Sequence, residues 1–220
     1  MKILAFEFSS DCRSVAAFDP GHAPPVVLTQ QSPGPQTGAF ALLDNLLHPI
    51  DWKPADVDRI AVGLGPGSYT GIRIAIAIAQ AWHLAHQTPL VGVRTIDGLA
   101  FQALARTPAE PVTLAVNAHR GEFYVLRVAD SGSGVREIEP LHLEPAESVN
   151  TRLRRGERVA GPGLAQAFPG GVDLLPDAGV IARLAAQGTE TAPGQPLDPV
   201  YLRTPQFKKA PPPQVPPPTA

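Results

Sequence analysis

Apolar and polar positions alternate first on a strand period and then on a helical one. Residues 2–8 and 12–18 are short apolar segments on either side of Ser9-Ser10-Asp11, which predicts a hairpin. Residues 24–30 are a candidate third strand. From 37 to 48 the spacing becomes helical: Phe40, Leu43 and Leu47 share one face, Leu42 and Leu46 another, and Pro49 and Pro54 end the pattern. Residues 59–64 form an apolar, β-branched run that predicts a buried strand. A long helix over 70–87, a strand over 90–93 and a helix over 95–106 follow. The order β-β-β-α-β-α-β-α predicts an α/β fold with a mixed sheet and helices packed on it.

A second half begins near Thr107-Pro108. It has expected strands over 112–116, 122–129 and 136–143, and a helix over 145–155. Short strands are expected over 159–161 and 172–174, a helix over 177–187 ending at Gly188, and a last strand over 199–203. Six of the eight residues from 211 to 218 are proline, a composition that builds no core and favours a disordered, polyproline-II-like tail. The expected organisation is a domain over 1–106, a second over 107–209, and a proline-rich tail over 210–220.

The helix over 70–87 is apolar on too many sides. Ile72, Ile76 and Ala79 lie on one face; Ile74, Ile78, Ala81 and Ala85 lie on another; no charge follows Arg73 before residue 86. One face covers the sheet, and the other needs a cover from outside the layer, either another domain or another chain. Ala75, Ala79 and Ala81 allow helices to approach closely. Which face points outward is not legible at this level.

Composition narrows the function. The chain has 220 residues, 44% hydrophobic and 17% charged, with a net charge of −2, so electrostatics give it no independent hold on nucleic acid. No apolar run approaches the ~20 residues of a membrane span. The start turns polar too early for a secretion signal. The single cysteine, Cys12, forms no internal disulfide, in keeping with a reducing cytoplasm.

The richest segment reads GLGPGSYTGIRIAIAIAQAWHLA, residues 63–85. Gly63, Gly65, Gly67 and Gly71 permit positive φ or close backbone approach, Pro66 stiffens the loop, and Ser68 or Thr70 can cap the helix. Such a strand–loop–helix unit suits an anion, with Arg73 in the first turn, but it equally suits tight packing. No Gly-Lys-Ser/Thr follows, and Thr70 stands where a dinucleotide fingerprint has its third glycine. His83 and His86, three apart, lack an evident third metal ligand. Glu7 sits in an otherwise apolar strand and requires a partner. Arg152, Arg154, Arg155 and Arg158 form a basic run at a helix end, as a solvated surface or an RNA contact.

Taken with PLVGV (89–93), NAHRGEFY (117–124) and PVYLR (199–203), this segment resembles the TsaB family, formerly YeaZ, over residues 1 to about 209. The resemblance implies a two-domain actin/Hsp70/sugar-kinase-like (ASKHA) fold. It also implies a role in making threonylcarbamoyladenosine beside the tRNA anticodon. In that pathway TsaC-type enzymes make threonylcarbamoyl-adenylate, TsaD transfers the threonylcarbamoyl group, TsaB is the non-catalytic partner of TsaD, and TsaE joins as an ATPase. The implied partners are TsaD directly, TsaE as third component, tRNA indirectly, and a second copy of the chain when TsaD is absent. No cofactor, metal, catalytic residue or membrane is implied, and the location is cytoplasmic.

The catalytic paralogue has two metal-binding histidines four residues apart after its equivalent of PLVGV. Thr95 and Leu99 occupy those positions here, and neither replaces an imidazole. Glu7-Phe8-Ser9 stands where relatives carry Asp-Thr-Ser/Ala, and Asn117 replaces an aspartate. These departures count against the competing readings of an ATP-dependent kinase or ATPase and of a metallopeptidase. A dimeric scaffold for some other partner is a third reading. The resemblance assigns the partner contact to the two N-terminal-domain helices. The residues expected there are Thr37, Phe40, Ala41, Asp44 and Leu47 on the first, and Ile72, Ala75, Ile76, Ile78, Ala79, Trp82 and His83 on the second.

Overall fold

The computed structural model describes residues 1–22, 24–31, 38–107, 109–132, 134–188 and 197–202. Thr37, Arg203 and the expected tail over 210–220 lie outside them. Two five-stranded sheets organise the described residues. The first contains β1 (Ile3–Glu7), β2 (Cys12–Phe18), β3 (Val26–Gln31), β4 (Arg59–Gly63) and β5 (Leu90–Val93), in the order β3-β2-β1-β4-β5. β1 pairs antiparallel with β2 and parallel with β4, and β5 adds parallel to β4. The second contains β6 (Val112–Asn117), β7 (Glu122–Asp130), β8 (Val135–Pro145), β9 (Val159–Gly161) and β10 (Val172–Asp173), in the order β10-β9-β6-β7-β8.

The first sheet is unequal on its two faces. Leu4, Phe6, Val15, Ile60 and Val62 point to α1 (Ala39–Leu47) and α2 (Tyr69–His86). The opposite face carries Ile3, Phe18 and Val91 beside Ala5, Ala16 and Ala61, and there α6 (Ala178–Gln187) lays Ala178, Ile181, Ala182 and Ala185 against it. Alternation along β1 therefore sends Leu4 and Phe6 to one layer and Ile3 and Ala5 to the other. α3 (Thr95–Arg106) leaves the first sheet and covers the second with Ile96, Leu99 and Ala103. α3 and α6 meet at Gly98, where a Cβ would stand 3.2 Å from Ile181 Cδ1.

Most expected elements are present at nearly the expected bounds. A 3₁₀ turn (Pro54–Asp56) and the short α5 (Leu164–Ala167) were not anticipated, since neither is long enough to display a period. α4 (Ala146–Arg154) begins after Pro145, which stands at its N-cap position without a side-chain cap bond. The last expected strand is a correction. Residues 199–202 belong to no strand; a backbone bond from Val200 N–H to the Leu64 carbonyl at 2.8 Å holds them to the end of β4.

Burial settles which face of α2 is which. Gly71, Ile72, Ala75, Ile76 and Ala79 are buried against the sheet. Ile74, Ile78 and Trp82 are half-buried, while Ala77, Ala81 and Leu84 are exposed. A charge at an inward position has no partner and no water, whereas one at an outward position keeps its hydration. Ile76→Glu is expected to lose about 3–5 kcal/mol of unfolding free energy, and Ile78→Glu no more than about 1 kcal/mol. Urea titrations of the two variants check the difference, and equal losses would contradict this assignment of faces.

Candidate functional site

Two regions collect the chemistry-bearing residues: the glycine loop beside the cleft between the sheets, and the outward surface of α1 and α2. In the loop, Gly63 ends β4, and a Cβ on it would lie 1.9 Å from Glu7 Oε2. A Cβ on Gly67 would lie 2.2 Å from the Ser9 carbonyl oxygen, and one on Gly71 1.9 Å from that of Phe8. Gly65 has φ +88°, and its peptide bond to Pro66 is cis. The glycines thus admit the turn between β1 and β2, not a ligand.

Three of the loop's donors are already engaged. Ser68 N–H donates to the Ser9 carbonyl at 2.6 Å. Gly71 N–H donates to Ser68 Oγ at 3.2 Å, which makes Ser68 the helix cap. Gly65 N–H donates to Thr95 Oγ1 at 3.0 Å. Three N–H groups that a phosphate would use are therefore held by protein oxygens. Thr70 is exposed at the cleft mouth. Arg73 is occupied by tyrosines: its guanidinium lies 4.4 Å from the centre of the Tyr69 ring, and a hydrogen bond with the Tyr201 side chain raises its pKa.

Glu7 finds the partner it needs. Its Oε1 accepts from Ser9 N–H at 2.7 Å, and its Oε2 accepts from Thr95 Oγ1–H at 2.7 Å, across 88 residues of sequence. Burial pushes the Glu7 carboxyl above its ordinary range, opposed by these hydrogen bonds. Thr95, one of the two residues standing at the paralogue's histidine positions, is thereby a structural hydroxyl. Leu99, the other, is fully buried in the core of the second sheet. Phe8 is buried under α2 with its ring edge-on to Phe6.

The cleft between the sheets holds about 520 Å³, lined by the turn at Ser9 to Cys12, the start of α2, Asn117 at the end of β6 and His119 just beyond it. Asn117 Oδ1 accepts from His119 N–H at 2.7 Å and so shapes a turn in which His119 and Arg120 take left-handed φ. Its role is local, with no charge to offer a metal–nucleotide.

The metal and basic candidates disperse. His83 Nδ1–H donates to the Thr88 carbonyl at 2.8 Å, while His86 rests against the Trp82 ring. Glu139, His142 and Glu144 come close enough to share an ion, but the Arg152 guanidinium sits among them, 2.5 Å from Glu139 and 2.6 Å from Glu144. It holds both carboxyls below the usual carboxylate range. Arg154 pairs with Glu147, and Arg158 donates to the Ala103 carbonyl. Arg152 and Arg158 are thus engaged within the molecule, while Arg154 and Arg155 stand at the surface.

Burial divides the residues expected at the partner surface. Ile72, Ala75, Ile76 and Ala79 face the sheet and offer nothing to a partner. Phe40 is 77% exposed, Ala41 and Asp44 are exposed, and Leu47, Ile78, Trp82 and His83 are half-buried. Trp52 and Leu84, 76% exposed, extend this surface; neither was anticipated, because Trp52 lies in a loop and Leu84 outside the counted faces. Between the helices a groove of about 470 Å³ is lined by Phe40, Leu47, Trp52, Ile78 and Trp82.

A family model described as TsaD, tRNA N6-adenosine threonylcarbamoyltransferase, matches residues 38–172. The Escherichia coli tRNA threonylcarbamoyladenosine biosynthesis protein TsaB is 29% identical over 92% of this chain and 95% of its own length. The chain belongs to the TsaB (YeaZ) family. A Mycobacterium tuberculosis protein of uncharacterised role is 32% identical over 70% of this chain and 68% of its own. The solved structure of YeaZ from Pseudomonas aeruginosa superposes with a TM-score of 0.72 at 27% identity, covering 91% of this chain and 99% of that one. The chain therefore shares its two-sheet α/β architecture with YeaZ. No helix among the described residues is long and apolar enough to cross a membrane.

Two predictions follow from the loop. Because the folded-state pKa of Glu7 is raised, the native state holds its proton more tightly than the unfolded chain does. Stability contributed by that proton is lost as pH rises above about 4.3 toward the folded-state value. Glu7→Gln should remove this decline, so parallel pH series of thermal midpoints should diverge as pH rises; parallel curves would contradict it. Separately, titration calorimetry of the isolated chain with Mg-ATP should show no micromolar binding.

Proposed function

We propose that the chain is a non-catalytic subunit of the tRNA threonylcarbamoyladenosine machinery that docks a TsaD-type transferase through the outward face of α1 and α2 and so activates it. The observation that carries this reading is the apolar, aromatic surface formed by Phe40, Ile78, Trp82 and Leu84 on two adjacent helices, with Trp52 in the loop beside them. A surface of this kind on a soluble fold marks an interaction site. The name of the Escherichia coli relative supplies the pathway.

Loss of catalysis is supported by Thr95 and Leu99, whose side chains are committed to the interior where the paralogue carries metal ligands. The engaged N–H groups of the glycine loop count against a kinase. With TsaD absent, the same face pairs two copies of the chain. TsaE then joins as third component, tRNA is met through the assembled complex, and the setting is cytoplasmic.

Phe40→Glu and Ile78→Glu are expected to stay folded and to weaken binding to purified TsaD by at least about 30-fold, the size of a hot-spot loss. Calorimetric titration of TsaD checks this, and unchanged affinity in both variants would place the interface elsewhere. In a reconstituted reaction with tRNA and threonylcarbamoyl-adenylate, the chain alone should give no modified nucleoside. Product formed without TsaD would refute the non-catalytic assignment.

A further inference from the structure

We propose that the groove between α3 and the β7–β8 hairpin docks a basic amphipathic helix of a protein partner. α6 also lines this groove, and α6 lies on the opposite side of the first sheet from α1 and α2. Its occupancy is therefore independent of the α1–α2 face.

The second sheet is covered unequally. On one face α4 and α5 pack together, with Val149 and Leu164 against Val125 and Val159. On the other face, α3 supplies the one helix of the core among the described residues, with Ile96, Leu99 and Ala103 against Leu114, Leu126 and Val128. Beside α3 a groove of about 690 Å³ remains. Leu104, Leu126 and Val128 are its buried apolar lining, while Phe101 is 39% exposed and Val135 44% exposed.

The shape of the groove suits a helix. Its lining along α3 runs from Arg94 to Ala105, ~16 Å at 1.5 Å per residue, or about three helical turns. A partner helix laid alongside α3 matches that length and completes the layer. A partner strand finds no ladder within the groove, because β7 is already paired by β6 on one side and β8 on the other. The exposed side chains of Phe101 and Val135 carry the apolar surface outward from the buried lining. A helix with apolar side chains at i, i+3, i+4 and i+7 covers both levels.

Charge selects the sign of the partner. Val128 pairs with Glu137 and Asp130 with Val135, and all four line the groove. Asp130 and Glu137 are therefore diagonal neighbours on one face of the hairpin. The Arg94 guanidinium lies 2.8 Å from Glu137 and bonds both carboxylate oxygens of Asp97, at 2.7 and 2.8 Å. One cation is thus shared by two carboxylates. Asp130 adds a third, and its Oδ1 accepts from a neutral donor, the Gly132 N–H, at 2.8 Å. The lining sets three carboxylates against one guanidinium, a net −2. Lysine or arginine on the flanks of the docked helix meets that excess.

A fluorescent helical peptide of about 15 residues, with leucines at i, i+3, i+4 and i+7 and lysines on both flanks, is titrated with the full-length chain at physiological salt. Its counterpart carries glutamate for every lysine. Anisotropy is expected to show micromolar binding of the lysine peptide and at least about tenfold weaker binding of the glutamate peptide. Phe101→Ser and Asp130→Lys change exposed positions, and each is expected to keep the fold and to weaken the lysine peptide at least about tenfold. Glu147→Lys makes the same charge change on α4, on the opposite face of the sheet, and is expected to leave affinity unchanged. Amide NMR shifts are expected to concentrate in α3 and the β7–β8 hairpin. No binding of the lysine peptide, equal binding of the two peptides, or equal losses in Asp130→Lys and Glu147→Lys would overturn the proposal. Shifts centred on α1 and α2 would overturn it too, because they would make the peptide a ligand of that face.

Discussion

The close seating of the glycine loop on the turn between β1 and β2 is the constraint from which the rest of the surface follows. Gly67 and Gly71 bring backbone to within contact of the Ser9 and Phe8 carbonyls, where any side chain would collide. Ser68 N–H then bonds Ser9, and its hydroxyl caps α2. A helix held so tightly at its first turn has its rotation about its own axis set. Ile72 and Ile76 go to the sheet, and Ile74 and Ile78 are turned outward. The apolar outer face is a consequence of that packing, and so is the engagement of the N–H groups that would otherwise greet an anion.

The same contact connects the two halves of the chain. Gly65 bonds Thr95 through both its N–H and its carbonyl, and Thr95 in turn bonds Glu7. β1, the glycine loop and the start of α3 therefore meet at one buried carboxyl. α3 goes on to cover the second sheet, while α6 returns to the first.

Much of the fold was legible from period alone. β2 and β5 were readable at their observed bounds, and α3 likewise, because strand and helix spacing there are uninterrupted. The excess apolar surface of α2 was also readable. Its orientation was not, since Ile72 with Ile76 and Ile74 with Ile78 are chemically equivalent, and only the contact at Gly71 distinguishes them. The Glu7–Thr95 bond, across 88 residues, has no local signal. The arginine run was visible, but the carboxylates that consume Arg152 come from β8, ahead of its own helix. Residues 199–202 carried strand-forming side chains, yet they act as a strap fastened by a backbone bond and a tyrosine stack.

The central claim is that the outward face of α1 and α2 is the surface a TsaD-type transferase grips. Hydrogen–deuterium exchange of the chain, alone and saturated with TsaD, tests it most directly. The account predicts that slowed exchange concentrates in peptides covering α1 and α2 and the loop at Trp52, with β6 to β10 unchanged. Protection confined to the cleft at Ser9, Asn117 and His119, or to the second sheet, would contradict it.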